Sequence, residues 1–306
     1  MLDKLRHGVA RVQRAIEKAR IGDDPRLASK AGYERAWGDQ LKAAHRFAAE
    51  GANLARVLAC FQLGTPDAAN QELLDRYGLR FLGRRIKGPT GYLYQGPLCE
   101  MTVHTEISRH IEEDTVNIVE LGSGYGKNLF RLWLNGGPPR AKYLAFEFTT
   151  NGRACASYLA SLEPSIQFET RAFDYYAPKI DGFDRNAKTF VFTSYSIEQI
   201  PTIGTAVFEE LLAMPGLAKV VHVEPVGWQR PRGSIVDEVE LELQGVVERF
   251  ARASRFNTDL LAVCEYLRGA GRIEIGAIKY DFLAGRPDLP ASVIVWKPVR
   301  SSGPRS

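Results

Sequence analysis

The sequence predicts an α/β protein in which a mostly parallel sheet follows an all-helical N-terminal region, and three observations carry that expectation. From Val116 onward, short β-rich apolar runs alternate with helical segments, the rhythm of a parallel sheet with crossover helices. The first of these runs breaks into three glycines at alternate positions and passes at once into a helix. Over residues 1–78, by contrast, apolar side chains recur every three or four positions between charged neighbours, which is helical spacing.

The glycine stretch reads Val-Asn-Ile-Val-Glu-Leu-Gly-Ser-Gly-Tyr-Gly-Lys-Asn-Leu-Phe over residues 116–130. Gly122, Gly124 and Gly126 accept positive φ and carry no Cβ, so a strand can turn sharply there and bring its backbone NH groups close to a ligand. The spacing is G-x-G-x-G with Glu120 two places ahead, not the G-x-G-x-x-G that holds a dinucleotide pyrophosphate. About twenty residues on, the run from Lys142 to Phe148 ends in Glu147, where an acidic side chain can accept both hydroxyls of a ribose. The ligand these features suit is a nucleoside.

Together these residues resemble the class I S-adenosylmethionine-dependent methyltransferases, whose first motif is an acidic residue, any residue and then G-x-G-x-G, followed by an acidic residue that ends the second strand. The resemblance spans about residues 95–297. It implies a Rossmann-like seven-stranded, mostly parallel sheet with a reversed last strand, and S-adenosyl-L-methionine as cofactor. Glu120, Gly122, Gly124, Gly126 and Glu147 fall on the motif positions. Beyond the third strand the family places an acidic residue on the adenine amino group with apolar neighbours flanking the ring, and Phe173 and Asp174 occupy that place. Ser194, at the end of the fourth strand, completes the expected cofactor set. The segment before the first strand commonly closes over the cofactor in this family, so Tyr92, Tyr94 and His104 are expected to face the pocket.

Composition bounds the rest. With 45% hydrophobic and 25% charged residues in 306, the chain is an ordinary globular protein rather than a disordered or fibrous one. Cys60, Cys99, Cys155 and Cys264 are far apart, with no C-x-x-C and no histidine at ligand spacing, so neither a zinc site nor a disulfide framework is expected. No apolar stretch reaches the roughly 18 residues of a membrane span and no signal-type apolar segment follows Met1, so a cytoplasmic protein is expected. Residues 1–90 hold 17 Lys and Arg against 10 Asp and Glu, a balance of +7 that leaves −3 for the remainder. Arg80, Arg84, Arg85 and Lys87 beside Tyr92 and Tyr94 are not interleaved in the manner of an RNA-binding module, so nucleic acid is not the expected substrate.

Taken in order, helices are expected over 2–21, over 33–63 with breaks at Gly38 or Gly51, over 65–78 and over 98–111. Strands follow at 116–121, 142–148, 165–170, 189–193 and 219–223, with intervening helices after Gly126, to about Leu162 and from near Pro201. Helices at 234–250 and 259–270 precede β-rich runs at 272–282 and 292–296, joined by Gly285-Arg286-Pro287-Asp288 as an antiparallel hairpin. The expected organisation is a helical region at 1–90, which offers a homodimer surface, a cofactor-binding domain at 91–298 and a tail at 299–306.

The loop after the fourth strand, Ser194 to Pro201, and Glu224-Pro225 after the fifth lie at the carboxyl ends of central strands, the edge where open α/β sheets bind ligands. Glu198 and Glu224 are expected to converge on the methyl acceptor, holding a cationic amine or guanidine or taking a proton from the nucleophile; Glu198 as a brace for the following helix is the alternative. Tyr195, His104 and Tyr94 complete the candidate catalytic set. The expected partner is a small polar acceptor attacked through nitrogen or oxygen. Two other classes compete: a non-catalytic S-adenosylmethionine-binding subunit, which would bind cofactor without transferring a methyl, and an NAD(P)-dependent oxidoreductase, which the glycine spacing disfavours.

Overall fold

The computed structural model describes residues 25–63, 103–231, 244–245, 248–249, 251–284 and 290–300. Helix α1 (Pro25–Ala49) and helix α2 (Leu54–Leu63) precede strand β1 (Asn117–Leu121). Helix α3 (Lys127–Leu134), strand β2 (Lys142–Glu147), helix α4 (Thr150–Ser161) and strand β3 (Gln167–Ala172) follow. The second half holds β4 (Thr189–Ser194), α5 (Ala206–Leu212), β5 (Leu217–Glu224), α6 (Leu260–Gly269), β6 (Ile273–Ala284) and β7 (Pro290–Pro298).

Every residue of β1, Asn-Ile-Val-Glu-Leu, is buried, as a near-continuous apolar run must be when helices cover both faces of a parallel sheet. The period-two alternation of the strand divides its side chains between two layers. Ile118 shares one core with Tyr143, Phe190, Phe192 and Val221, under Leu129 of α3, Leu159 of α4 and Leu54, Val57 and Leu58 of α2. Val119 and Leu121 face the other core, with Phe146, Val191, Ile294 and Trp296 under Phe208 of α5 and Leu260, Cys264 and Leu267 of α6.

The strand order is β3-β2-β1-β4-β5-β7-β6, with β1 to β5 parallel and β7 antiparallel to both β5 and β6. This is the seven-stranded, mostly parallel arrangement with a reversed last strand that the sequence implies. Because the chain winds outward from β1 in one direction to β2 and in the other to β4, the crossovers diverge between β1 and β4 and leave a crevice at the carboxyl edge.

Helix α1 starts eight residues earlier than the apolar pattern indicates and runs through Gly38, which lies against the Asn151 side chain; the break falls at Gly51, whose φ is +82°. Its attachment is specific. The Glu34 carboxylate accepts from the backbone NH groups of Thr150 (2.7 Å) and Asn151 (2.8 Å), while Asn151 Nδ2 donates to the Glu34 carbonyl (2.8 Å). Thr149 Oγ1 accepts from Gly152 N. The unpaired donors and the positive dipole end of α4 are thus satisfied from outside the helix.

Two further expectations from the sequence do not hold. The helix expected near Pro201 begins at Ala206, because Ile203 N and Gly204 N donate to the Asp259 carboxylate (2.8 and 3.0 Å) and Asn257 Nδ2 to the Ile200 carbonyl, which holds 200–204 as loop. The third strand begins at Gln167 rather than Ser165. The helices expected at 2–21 and 65–78, the connector with Tyr92 and Tyr94, most of 234–250 and the turn at 285–288 lie outside the described residues. No helix among the described residues is long and apolar enough to cross a membrane.

If the Glu34 carboxylate seats α1, Glu34→Ala should loosen that helix selectively. Amide hydrogen exchange over residues 30–48 is expected to accelerate about tenfold, equivalent to about 1.4 kcal/mol and within the range for a lost helix cap, with β1 and β4 unchanged. Acceleration spread evenly over the sheet would show that Glu34 does not act as the seat.

Candidate active site

The loop after β1 is shaped by backbone bonds that only glycine geometry permits. Gly122 N and Ser123 N both donate to the Phe146 carbonyl of β2 (2.8 and 3.1 Å), and φ is +71° at Gly122 and +56° at Gly124. A Cβ on Gly122 would lie 2.5 Å from Ser196 Cβ, and one on Gly124 would lie 2.9 Å from the Trp37 ring of α1. Gly126 stands instead at the N-cap of α3 with φ +78°, where its missing Cβ makes room for Phe168 and Phe130.

Glu147, at the tip of β2, ties this loop to α4. Its Oε2 accepts from Gly124 N (2.7 Å), and its Oε1 accepts from Thr149 N (2.8 Å) and Thr149 Oγ1 (2.5 Å). A carboxylate offers about four acceptor sites, so these bonds leave one, on the oxygen that faces the glycine loop.

Above the loop lies a cavity of about 730 Å³, its open mouth included, walled by apolar and aromatic side chains with a few polar groups among them, as small-molecule sites are. Gly122, Gly124, Glu147 and Asp174 form one side; Tyr195, Ser196, Gln199 and Ile200 form another. The roof comes from α1, which contributes Lys30, Tyr33 and Trp37. Tyr33 stacks on Trp37 with ring centroids 5.7 Å apart, Trp37 meets Tyr125 edge-on, and the Lys30 ammonium sits 4.2 Å above the Phe148 ring. Burial, reinforced by the fields of Glu198 and Glu147, pushes the Tyr33 hydroxyl up to about 12, so it is a donor at neutral pH.

Behind this wall are further buried carboxylates. Glu120 accepts from Asn128 Nδ2 (2.6 Å), and Asn128 Oδ1 lies 3.1 Å from His104 Nε2, which assigns the donor role to the histidine. Burial pushes Glu120 up to about 8, with the charges of Glu147 and Glu224 adding to the rise and the Asn128 bond and Lys127 opposing it. Glu224, fully buried, accepts from Ser196 N (3.2 and 3.1 Å), Ser196 Oγ (3.3 Å) and Glu198 N (3.4 Å). Burial pushes it up to about 7 against those bonds. Its acceptors pull the loop over so that Tyr195 adopts φ +50°, an uncommon value for a residue with a side chain. Glu198 occupies a turn of 3-10 helix, Ile197–Gln199, where its Oε1 accepts from Gln199 Nε2.

Of the residues named from sequence, Gly122, Gly124, Glu147, Asp174 and Tyr195 line the cavity. Glu120, Glu198, Glu224 and His104 are buried but are not on its lining; Glu120 and Glu224, from separate strands, are close enough to feel each other's charge. Phe173 packs in the core between Phe146 and Tyr175, and the wall expected of it is made by Tyr175 and Tyr176. Ser196, two places past Ser194, carries the polar contact: its hydroxyl lies 3.0 Å from the Leu121 carbonyl and 2.8 Å from the Tyr175 hydroxyl. Tyr94 lies outside the described residues. The contribution of α1 is not visible in any motif; the aromatic pair Tyr33 and Trp37 at four-residue spacing is its one trace in the sequence. Among the described residues, no group of three or more metal-ligating side chains is assembled.

The strand order with β7 reversed between β5 and β6, and the glycine loop with Glu147 beside it, agree on one architecture. The fold is that of the class I S-adenosylmethionine-dependent methyltransferases. No family model matches the sequence, and no curated protein matches it. Among solved structures, the chain is similar to geranyl diphosphate C-methyltransferase from Streptomyces coelicolor A3(2) in complex with Mg2+, geranyl diphosphate and S-adenosyl-L-homocysteine, at 12% identity, 66% of this chain, 79% of that one and a TM-score of 0.46. It is also similar to a geranyl diphosphate methyltransferase with GPP and sinefungin (10%, 65% and 79%, TM-score 0.44) and to an O-methyltransferase from Bacillus cereus with SAH (12%, 78% and 93%, TM-score 0.40). At these scores the likenesses add nothing to what the strand order already shows.

The raised carboxyls make stability fall with rising pH. A carboxyl that holds its proton more tightly when folded contributes stability that is complete below the unfolded value near 4.5 and is lost as pH climbs through the folded values, about 7 for Glu224 and about 8 for Glu120. His222, pushed down to about 3 by burial, acts oppositely, but its loss falls below its ordinary 6.5. Between pH 6.5 and 8.5 the melting temperature should therefore decline, and Glu120→Gln, which keeps the acceptor for Asn128, should flatten that decline. Parallel pH profiles for the two proteins would show that Glu120 does not titrate in this window.

Proposed function

We propose that the protein is an S-adenosylmethionine-dependent methyltransferase that acts on a nitrogen or oxygen nucleophile of a small polar molecule. The observation that carries this reading is the cavity itself: a roofed, aromatic-walled space at the switch point of the sheet, set over Gly122 and Gly124 and lined by Glu147 and Asp174, with Glu120, Glu198 and Glu224 buried behind its walls. The residues present fit a cationic nucleoside. Glu147, with one acceptor site left over, would take a ribose hydroxyl, and Asp174, which shares the lining with Phe148 and Tyr176, would take the adenine ring; buried Glu120 Oε2 and Ser123 Oγ have no hydrogen-bond partner among the described residues.

When bound, S-adenosylmethionine supplies a methyl group on a sulfonium, and displacement at that carbon gains chiefly from alignment. The chain's part is therefore to bind, orient and exclude water. Tyr33 and Trp37 close the top of the cavity, while Tyr195, Gln199 and Ile200 border the side left for an acceptor. A protonated nucleophile needs a base within reach. Glu198 and Tyr195 are the candidates nearest that side; Glu224 acts on the loop that carries them, and His104, bonded to Asn128, supports Glu120.

The carboxylates also weigh against the oxidoreductase reading. A dinucleotide would bring two phosphate charges to a cavity lined by Glu147 and Asp174, over a glycine turn with G-x-G-x-G rather than G-x-G-x-x-G spacing. Among the described residues that line the cavity, Lys30 is the one cation.

Calorimetry on the full chain tests the proposal. S-adenosylmethionine should bind with a dissociation constant of micromolar order, about −8 kcal/mol. Gly124→Val should abolish binding without loss of secondary structure, since its side chain would need φ near +56° and would occupy the space of Trp37. Glu147→Ala should weaken binding by about 1.5 to 3 kcal/mol. Tight binding of NAD in place of S-adenosylmethionine would overturn the reading.

A further inference from the structure

Behind Glu224 the core contains a hydrogen-bond chain whose direction is forced. His222 of β5 is fully buried and faces Thr193 of β4 across the parallel ladder, while Trp296 of β7 reaches it from the other side. Trp296 Nε1 lies 2.9 Å from His222 Nε2, and Thr193 Oγ1 lies 3.0 Å from His222 Nδ1. An indole NH can only donate, so His222 Nε2 must accept and the ring proton must sit on Nδ1. Nδ1–H then donates to Thr193 Oγ1, which leaves the threonine proton for another acceptor; Glu224, two places after His222 on β5, lies on the same face of the sheet, and interaction with the Thr193 side chain eases its ionisation against burial. Glu224 in turn accepts from the backbone of Ser196 and Glu198.

We infer that Trp296, His222 and Thr193 form a one-way donor relay that orients the Glu224 carboxylate onto the 195–198 backbone, so that His222 and Thr193 are positioning residues for the Tyr195–Gln199 wall of the cavity. A buried imidazole between two strands is otherwise a poor choice, since an apolar side chain would avoid the cost of dehydrating two ring nitrogens. Its use here is polarity: it converts a fixed NH on the far strand into a hydroxyl proton aimed at a carboxylate in the site. Among groups packed about the ring, Phe208, Thr193 and Trp296 are uncharged, which fits the downward displacement of its pKa by burial alone. The consequence for ligand binding rests on the proposed methyltransferase function; the hydrogen-bond polarity does not.

Two experiments on the full chain separate these levels. Nitrogen-15 NMR should show His222 as the neutral Nδ1–H tautomer, unchanged between pH 5 and 9; the Nε2–H tautomer, or titration near 6.5, would overturn the relay. S-adenosylmethionine binding is then measured for His222→Gln, which keeps an acceptor and a donor in series, and for His222→Leu, which has neither. Binding by the glutamine variant should stay within about threefold of wild type, and binding by the leucine variant should fall about tenfold or more. Equal binding by both would overturn the positioning role. Should His222→Leu fail to fold, Thr193→Val takes its place: loss of the hydroxyl donor should move the ionisation of Glu224 to higher pH, so that its melting-temperature difference from wild type grows between pH 6.5 and 8.5. A constant difference would mean that Thr193 only fills space. Wild-type protein that shows the expected tautomer but no affinity for S-adenosylmethionine would sink the functional reading and leave the relay standing.

Discussion

The structure depends on bringing several carboxylates out of water at one edge of a parallel sheet. An isolated buried carboxylate is prohibitively costly, so each must be matched by donors or give up its charge. The chain uses both routes. Glu147 is met by three donors from the glycine loop and the start of α4, whereas Glu120 and Glu224 have fewer or longer bonds and are pushed toward the neutral form. Much of the local architecture follows from this matching: the direction of the Gly122–Gly126 turn, the entry into α4, and the bend at Tyr195 that carries its backbone into the left-handed region.

The same constraint explains why the N-terminal helix belongs to the site. Without α1 the cavity would be an open trough, and the acids on its floor would face bulk water, where their fields are weak. Glu34 clamps α1 to the α4 dipole, and the helix then lays Tyr33 and Trp37 over the glycines. Roof and floor are thus coupled through one short segment, since Glu147 also binds Thr149 at the start of α4. In such an enclosure the field of an ionised acid on the lining, as at Glu147, is felt more strongly and weighs against an anionic occupant.

The sheet and the loop are legible in the sequence because they obey local rules. Alternating β-rich and helical segments, glycines where φ is positive, and an acid at the tip of β2 are patterns of spacing, and the strands fall close to the ranges read from them. What is not legible arises from tertiary contacts. Phe173 and Tyr175 are both aromatic and two places apart, and only packing against Phe146 decides which is core and which is wall. The start of α5 cannot be read locally because Pro201 resembles a helix N-terminus, while Asn257 and Asp259, more than fifty residues on, hold that stretch as loop. Nothing about Thr193, His222 and Trp296 in sequence suggests that they touch; their alignment is a product of strand register.

A crystal structure of the full chain with S-adenosyl-L-homocysteine is the most direct test that this cavity is a cofactor site. The nucleoside should lie beneath Tyr33 and Trp37 with a ribose hydroxyl on Glu147 Oε2, and the homocysteine portion should extend over Gly122 and Gly124 toward Ser196. Density for the ligand elsewhere on the molecule, or a cavity that remains empty at saturating ligand with Glu147 bonded only to Gly124 and Thr149, would contradict the account.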